Sequence, residues 1–295
     1  MDKHLLSSGE LSLEEINDIF DSADDFRNNA LKWCLKGRSV INLFYEPSTR
    51  TRTSFELAAK RLGADVVNFD VSTSSVEKGE DLRDTVTTLE SLGADVLIVR
   101  HPDRGVPQLM TGWVDCSVIN AGDGTREHPT QALLDLYTMR EHFGKLAGLR
   151  VGIVGDVHHS RVANSLYFAL ARVGAESILI GPKELVSSRP GPYISYDLES
   201  KLPELDVCYM LRLQTERRPY ITADYARHEL KEYGKKFGLT KERAAMLPDH
   251  AIIMHPGPMN RGVEIDSDVA DSPRSVIRDQ VANGVAVRAA VLSWL

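Results

Sequence analysis

The chain has 295 residues, 42% apolar and 26% charged, with a formal net charge of −7. This is ordinary globular composition, and the length exceeds the roughly 250 residues at which a single core stops growing, so two domains are expected. The acid excess argues against nucleic acid and anionic membranes as partners, while arginines focused in one cleft remain able to bind small anions.

Ser12-Leu13-Glu14-Glu15 reads as a capping box, and Leu13, Ile16, Phe20, Ala23 and Phe26 keep helical spacing after it. The apolar run Val40–Tyr45 reads as a buried strand, followed by a helix that ends at Gly63. Strand-like runs recur at Asp65–Asp70, Asp95–Arg100 and Ser117–Asn120, and a helix is expected over about Pro129–Phe143. Gly144-Lys145-Leu146-Ala147-Gly148 is taken as the join between domains. The pattern then restarts with strands at Arg150–Gly155, Ser177–Gly181 and Asp206–Leu211, and a helix around Val162–Val173. Such alternation predicts an α/β fold of two doubly wound domains, each a mostly parallel sheet flanked by helices. A last helix, about Ser275–Leu295, carries Ile277, Val281, Val285, Leu292 and Leu295 on roughly one side. No apolar run is long enough for a bilayer, and the polar start Met1-Asp2-Lys3-His4 does not read as a signal peptide. A cytoplasmic location is expected.

The chemistry gathers where strands hand over to helices. Tyr45-Glu46-Pro47-Ser48-Thr49-Arg50-Thr51-Arg52 places hydroxyls and arginines at a helix start. The first N–H groups there are unpaired and the dipole is positive, so the start already attracts an anion. Guanidinium and hydroxyl donors suit phosphate oxygens; the plainer alternative is a Ser48 cap with solvated arginines. Pro129 suits the first position of a helix, which puts His128 at its cap. The positive end then favours a neutral imidazole able to polarise a carbonyl oxygen, against the alternative of a histidine packed at a domain edge. Arg100 ends a buried strand and points toward the crevice where open α/β sheets bind ligands, unless it merely terminates the strand at the surface. Arg161 follows Gly155-Asp156-Val157-His158-His159-Ser160 at a second strand-to-helix junction, and Arg212 and Gln214 follow the run Val207–Leu211. Arginines pair naturally with dicarboxylic acids.

Two other chemistries find little support. Cys34, Cys116 and Cys208 lack Cys-x-x-Cys spacing, so they read as reduced core thiols, and His158-His159 alone makes no zinc site. The glycines around Gly155 miss the Gly-x-Gly-x-x-Gly fingerprint of nicotinamide binders. No metal and no cofactor are expected.

Four motifs occur in the order seen in carbamoyltransferases: Ser48-Thr49-Arg50-Thr51-Arg52, His128-Pro129-Thr130-Gln131, Leu211-Arg212-Leu213-Gln214-Thr215-Glu216-Arg217 and His255-Pro256-Gly257-Pro258. The chain resembles that family along essentially its whole length, nearest the branch whose acceptor is aspartate. The Ser-Met-Gly and His-Cys-Leu-Pro segments typical of ornithine enzymes are not present. The resemblance implies that carbamoyl phosphate sits on Ser48, Thr49, Arg50, Thr51 and Arg100, with Thr51, Arg100 and His128 polarising its carbonyl and Gln131 touching the carbamoyl group. It implies that backbone groups at Gly257 and Pro258 orient the amide, and that Arg161, Arg212 and Gln214 hold the carboxylates of aspartate. By the same resemblance Ser74 and Lys78, in what otherwise reads as a solvated loop over 72–80, reach a neighbouring subunit's site. That makes the expected assembly a homotrimer with shared sites, Lys78 touching both substrates.

The resemblance also matches Glu46, Arg161 and Arg217 to an inter-domain ion set that stabilises closure. It assigns 1–145 to carbamoyl phosphate, 146–275 to aspartate and 276–295 to a C-terminal helix returning to the first domain. Carbamoyl transfer to aspartate, an early step of pyrimidine biosynthesis, is the expected activity, with the phosphate itself taking the amine proton. A separate regulatory chain or a dihydroorotase remains a possible partner. Rival readings are a sister enzyme using ornithine or another amine, a non-catalytic scaffold, and a phosphosugar- or nucleotide-binding protein.

Overall fold

The computed structural model describes residues 3–69, 79–186, 193–214 and 223–295, with the backbone alone at 223–227. The chain forms two compact units, Met1–Tyr137 with Val281–Leu295, and Thr138–Gln280. The last helix therefore belongs mostly with the first unit.

In the first unit the elements run α1 (Leu13–Arg27), β1 (Ser39–Phe44), α2 (Thr49–Arg61), β2 (Asp65–Phe69), α3 (Leu82–Ser91), β3 (Val96–His101), α4 (Val106–Met110), β4 (Ser117–Asp123) and the start of α5 (Pro129–Phe143). The capping box of α1 is complete: Glu15 N–H donates to Ser12 Oγ at 3.1 Å and Ser12 N–H to the Glu15 carboxylate at 2.9 Å. The sheet is entirely parallel, in the order β2-β1-β3-β4. Its interior strands are buried on both faces, as parallel sheets require. Ile41, Leu43, Val86, Leu97, Val99, Met110 and Val118 form one apolar core of this unit.

The second unit continues with β5 (Arg150–Val154), α6 (Arg161–Arg172), β6 (Glu176–Ile180), α7 (Lys183–Val186), β7 (Tyr193–Ser195), β8 (Val207–Met210), α8 (Ala223–Phe237), α9 (Lys241–Ala244), β9 (Ile252–Met254), α10 (Ser267–Ala270) and the start of α11 (Ile277–Trp294). Its sheet is again parallel, ordered β7-β6-β5-β8-β9. Val154, Ile180, Leu205, Met210, Tyr233, Leu239 and Ile253 lie in its core. The expected α/β architecture of two parallel sheets is what the chain adopts. Among the described residues, no helix is long and apolar enough to cross a membrane.

Two expectations need correction. The C-terminal helix buries the stripe read from its sequence only in part: Ile277 and Leu292 are buried, Val285 is half-buried and Val281 is 53% exposed, while Gln280, Asn283 and residues 286–292 supply the rest of the buried face. The helix is apolar nearly all round, so spacing alone does not choose its inner face; a buried Arg288 sits where an aliphatic residue is the ordinary occupant. Ser48 occupies the N-cap position of α2, but its hydroxyl makes no capping bond, so the plainer reading of that serine fails.

Burial pushes the thiols of Cys116 and Cys208 up to about 12, whereas Cys34 lies at the surface. The thiolate is the reactive form, so an aromatic disulfide reagent at pH 8 should titrate about one thiol per native chain, and all three after denaturation. Rapid reaction of all three in the native protein would contradict the buried placement.

Candidate active site

In the first sheet, β1 is followed toward one edge by β2 and toward the other by β3, so strand order reverses between β1 and β3. Ligands of open α/β sheets bind outside the carboxyl ends of the strands at such a reversal. Ser48–Thr51 follow β1, and Arg100 lies near the end of β3, paired in register with Phe44. Next to β4 the ladder slips between Val99 and His101, so Arg100 falls at an irregularity of the kind that re-aims a side chain. Its Nε donates to the Glu46 carboxylate at 3.2 Å.

The first turn of α2 carries Arg50 and Arg52 and no acidic residue, against the usual preference for acids at that end. Thr51 and His128 are both buried, with Oγ1 and Nε2 3.5 Å apart, so the N-terminal ends of α2 and α5 meet there. Gln131, one turn into α5, donates from Nε2 to the Asp135 carboxylate at 3.0 Å. The unit thus gathers Thr51, His128 and Gln131 around two helix starts, with Arg100 on the neighbouring strand. His101 plays a different part: its ring packs against Tyr45 at 4.8 Å, and burial holds its pKa below the ordinary range.

The loop leading into His128 is organised by Asp123, which sequence spacing did not single out. This fully buried carboxylate accepts from Asn120 Nδ2 at 2.8 Å, Gly105 N–H at 2.7 Å and Glu127 N–H at 3.0 Å. A carboxylate receiving that many donors is a rigid anchor. Glu127 in turn accepts from the hydroxyls of Ser7 and Ser8, joining the N-terminal segment to the loop.

The second sheet repeats the design. Order reverses between β5 and β8; Arg161 follows the first, and Arg212 and Gln214 the second. Gly155 has φ +130°, and a Cβ there would lie 2.9 Å from the Leu211 carbonyl oxygen, so only glycine lets the two strand ends approach so closely. Asp156 then ties the two loops together. It accepts from His159 N–H at 3.2 Å and from Gln214 N–H at 3.2 Å, and its Oδ1 lies 2.8 Å from His159 Nδ1. Ser160 caps α6 by accepting from Ala163 N–H, which places Arg161 as the first helical residue, buried at the positive end.

The segment after β9 is built on a second unforeseen pair. His255 Nδ1 accepts from Gly257 N–H at 2.8 Å, which leaves the proton on Nε2, 3.3 Å from the Glu264 carboxylate. The same carboxylate accepts from Asn260 N–H at 2.5 Å. Gly257 and Pro258, joined by a cis peptide, thus stand in a loop pinned at both sides. Ser74, Lys78 and Arg217 lie outside the described residues.

Two family models cover the chain: the carbamoyl-phosphate-binding domain of aspartate/ornithine carbamoyltransferases matches residues 3–141, and the Asp/Orn-binding domain of the same proteins matches 147–295. The aspartate carbamoyltransferase catalytic subunit of Salinispora tropica is 54% identical, over 100% of this chain and 98% of its own. That of Granulibacter bethesdensis is 52% identical over 99% of this chain and 94% of its own. Among solved structures, aspartate transcarbamoylase from Trypanosoma cruzi in complex with N-(phosphonacetyl)-L-aspartic acid superposes with a TM-score of 0.89 at 30% identity, covering 100% of this chain and 96% of that one. These matches span both units, and the chain belongs to the aspartate/ornithine carbamoyltransferase family.

Proposed function

We propose that the chain transfers the carbamoyl group of carbamoyl phosphate to the amine of L-aspartate, giving N-carbamoyl-L-aspartate and phosphate. The observation that carries this reading is the gathering of Thr51, His128 and Gln131 at two helix N-termini beside Arg100, at the strand-order reversal of the first sheet. Relatives named as aspartate carbamoyltransferase catalytic subunits match over the full chain. A Trypanosoma cruzi aspartate transcarbamoylase solved with carbamoyl phosphate and aspartate has a TM-score of 0.88.

The phosphate of the donor rests on Ser48, Thr49, Arg50, Thr51 and Arg100, whose guanidinium, hydroxyl and helix-start N–H donors suit phosphate oxygens. Thr51, Arg100 and His128 polarise the carbamoyl oxygen, and Gln131 with the Gly257–Pro258 loop orients the amide. Arg161, Arg212 and Gln214 hold the two carboxylates of aspartate, whose amine attacks the carbamoyl carbon. The C–N bond forms, the tetrahedral oxyanion is stabilised by the same donors, and the C–O bond to phosphate breaks. The departing phosphate takes the amine proton, so no side chain need act as general base. Holding two reactants in attack geometry supplies several kcal/mol of the barrier, and fixed donors on the oxyanion supply about 3 kcal/mol each.

Residues 1–145 form the carbamoyl phosphate domain in this reading and 146–275 the aspartate domain, with 276–295 returning to the first. Ser74 and Lys78 serve the site of a neighbouring copy, so the working assembly is a homotrimer, located in the cytoplasm and acting in pyrimidine biosynthesis.

Arg50 is exposed, so its loss should spare the fold. Arg50→Ala is expected to lower kcat by at least about a hundredfold with an unchanged melting temperature, measured by phosphate release and thermal unfolding. Turnover near the parent rate would remove Arg50 from the site. His128→Ala should lower kcat by about a hundredfold with a smaller change in KM, because it acts on the developing oxyanion; a KM effect alone would make it a binding residue only. An analogue carrying a phosphonate and a dicarboxylate in one molecule should raise the unfolding free energy by about 4 kcal/mol at a thousand times its Kd. Stabilisation by the phosphonate half alone, with no gain from the dicarboxylate, would refute the aspartate assignment.

A further inference from the structure

Arg288 stands out because nothing in the reaction touches it. It is buried on the C-terminal helix, where a cation costs several kcal/mol unless the surroundings compensate it. Its surroundings are built for it. Nη1 donates to the Gly284 carbonyl at 3.1 Å, and the guanidinium lies 5.3 Å from the centre of the Phe55 ring on α2. Gly284 supplies the notch: a Cβ there would fall 2.6 Å from Nη1 and 3.4 Å from the Leu134 side chain on α5. The acid whose charge acts on Arg288 is Asp135, fully buried and one turn past Gln131. Burial lowers the guanidinium to about 10, so it is still a cation at neutral pH.

We propose that Arg288 and Asp135 are positioning residues for Gln131, and that they set the preference of the site for a carbamoyl over a methyl-bearing acyl phosphate. The inference rests on the carbamoyl-transfer reading given above. An ionised carboxylate only accepts hydrogen bonds. The Asp135 carboxylate accordingly accepts from the nitrogen side of the Gln131 amide at 3.0 Å. The trigonal amide carbon then turns Oε1 away from Asp135, as an acceptor fixed in orientation. A carbamoyl NH2 donates to such an oxygen, whereas an acetyl methyl group offers it nothing. Sites built around a fixed polar partner reject analogues that lack it far better than apolar pockets reject an added group. A merely structural role, in which Arg288 only tethers the last helix, predicts no change in ligand preference.

The test uses the whole chain and two ligands, carbamoyl phosphate and acetyl phosphate, with dissociation constants measured by competition. Asp135→Asn keeps the shape but lets the new amide donate to Gln131 Oε1, so Gln131 loses its enforced orientation. The preference for carbamoyl phosphate should fall about tenfold, the worth of one well-made hydrogen bond, while acetyl phosphate binding stays within about twofold of the parent. Gly284→Ala displaces the guanidinium by sterics yet suits a helix interior. It should lose preference by about threefold without a lower melting temperature, and it decides the matter if Asp135→Asn does not fold. Folded variants that keep the parental ratio, or that weaken both ligands equally, overturn the inference. A parent chain that shows no preference for carbamoyl phosphate overturns the reaction reading and this inference with it.

Discussion

An arginine in the first turn of a helix stands against the positive end of the dipole, a placement that costs about 0.3–1 kcal/mol when nothing offsets it. The chain does this in both units, with Arg50 and Arg52 opening α2 and Arg161 opening α6. Each helix follows the strand beside which its sheet reverses order, so the opposing charges meet where an open parallel sheet leaves a crevice. The free N–H groups, the dipole and the guanidinium groups all favour the same occupant, a small multiply charged anion. An overall charge of −7 does not conflict with this, because the local field at such a crevice is set by a few groups with low-dielectric walls, not by the distant surface.

The loops beside these helix starts are held by buried acids. Asp123 gathers three donors below the loop that presents His128. Asp156 bonds the loop after β5 to the backbone of Gln214 after β8, and Glu264 with His255 pins the turn at Gly257. In each case a carboxylate that accepts several backbone or side-chain donors replaces the apolar packing that a loop cannot supply. Such groups are costly if left unsatisfied, about 1–3 kcal/mol for each lost partner. The loops are thereby fixed in one arrangement before any ligand arrives.

The sequence made the periodic features plain. Alternating apolar runs and helical spacing located β1, β3, β5, β8 and α5 to within a residue or two, and the start of α1 was readable from Ser12 and Glu15. The clustered arginines at strand-to-helix junctions were readable because their position conflicts with ordinary helix preferences. Other features depend on distance in the fold. Asp123, Asp156 and Glu264 look like any surface acids in the sequence, since nothing local marks a carboxylate as buried. The inner face of α11 was legible only in part for a related reason. A helix that is apolar on most sides carries no usable moment, and the polar residue that reveals its packing, Arg288, lies between Val285 and Leu292 on the stripe itself, where spacing calls for an aliphatic side chain.

That buried arginine bears on why the C-terminal segment belongs to the first compact unit at all. A surface helix needs only an apolar stripe to dock, and burying a charge on it would weaken the docking. Here the charge lies against Phe55 on α2 and near Asp135 on α5, the two helices whose starts carry Thr51 and His128. Glycine at 284 leaves room for the guanidinium that lies against it, in a helix interior where alanine is otherwise the better residue. A helix stabilised for its own sake would have neither residue. Their joint presence makes the last turns of the chain part of the support beneath the site, in the same way that Asp123 supports it from the loop side.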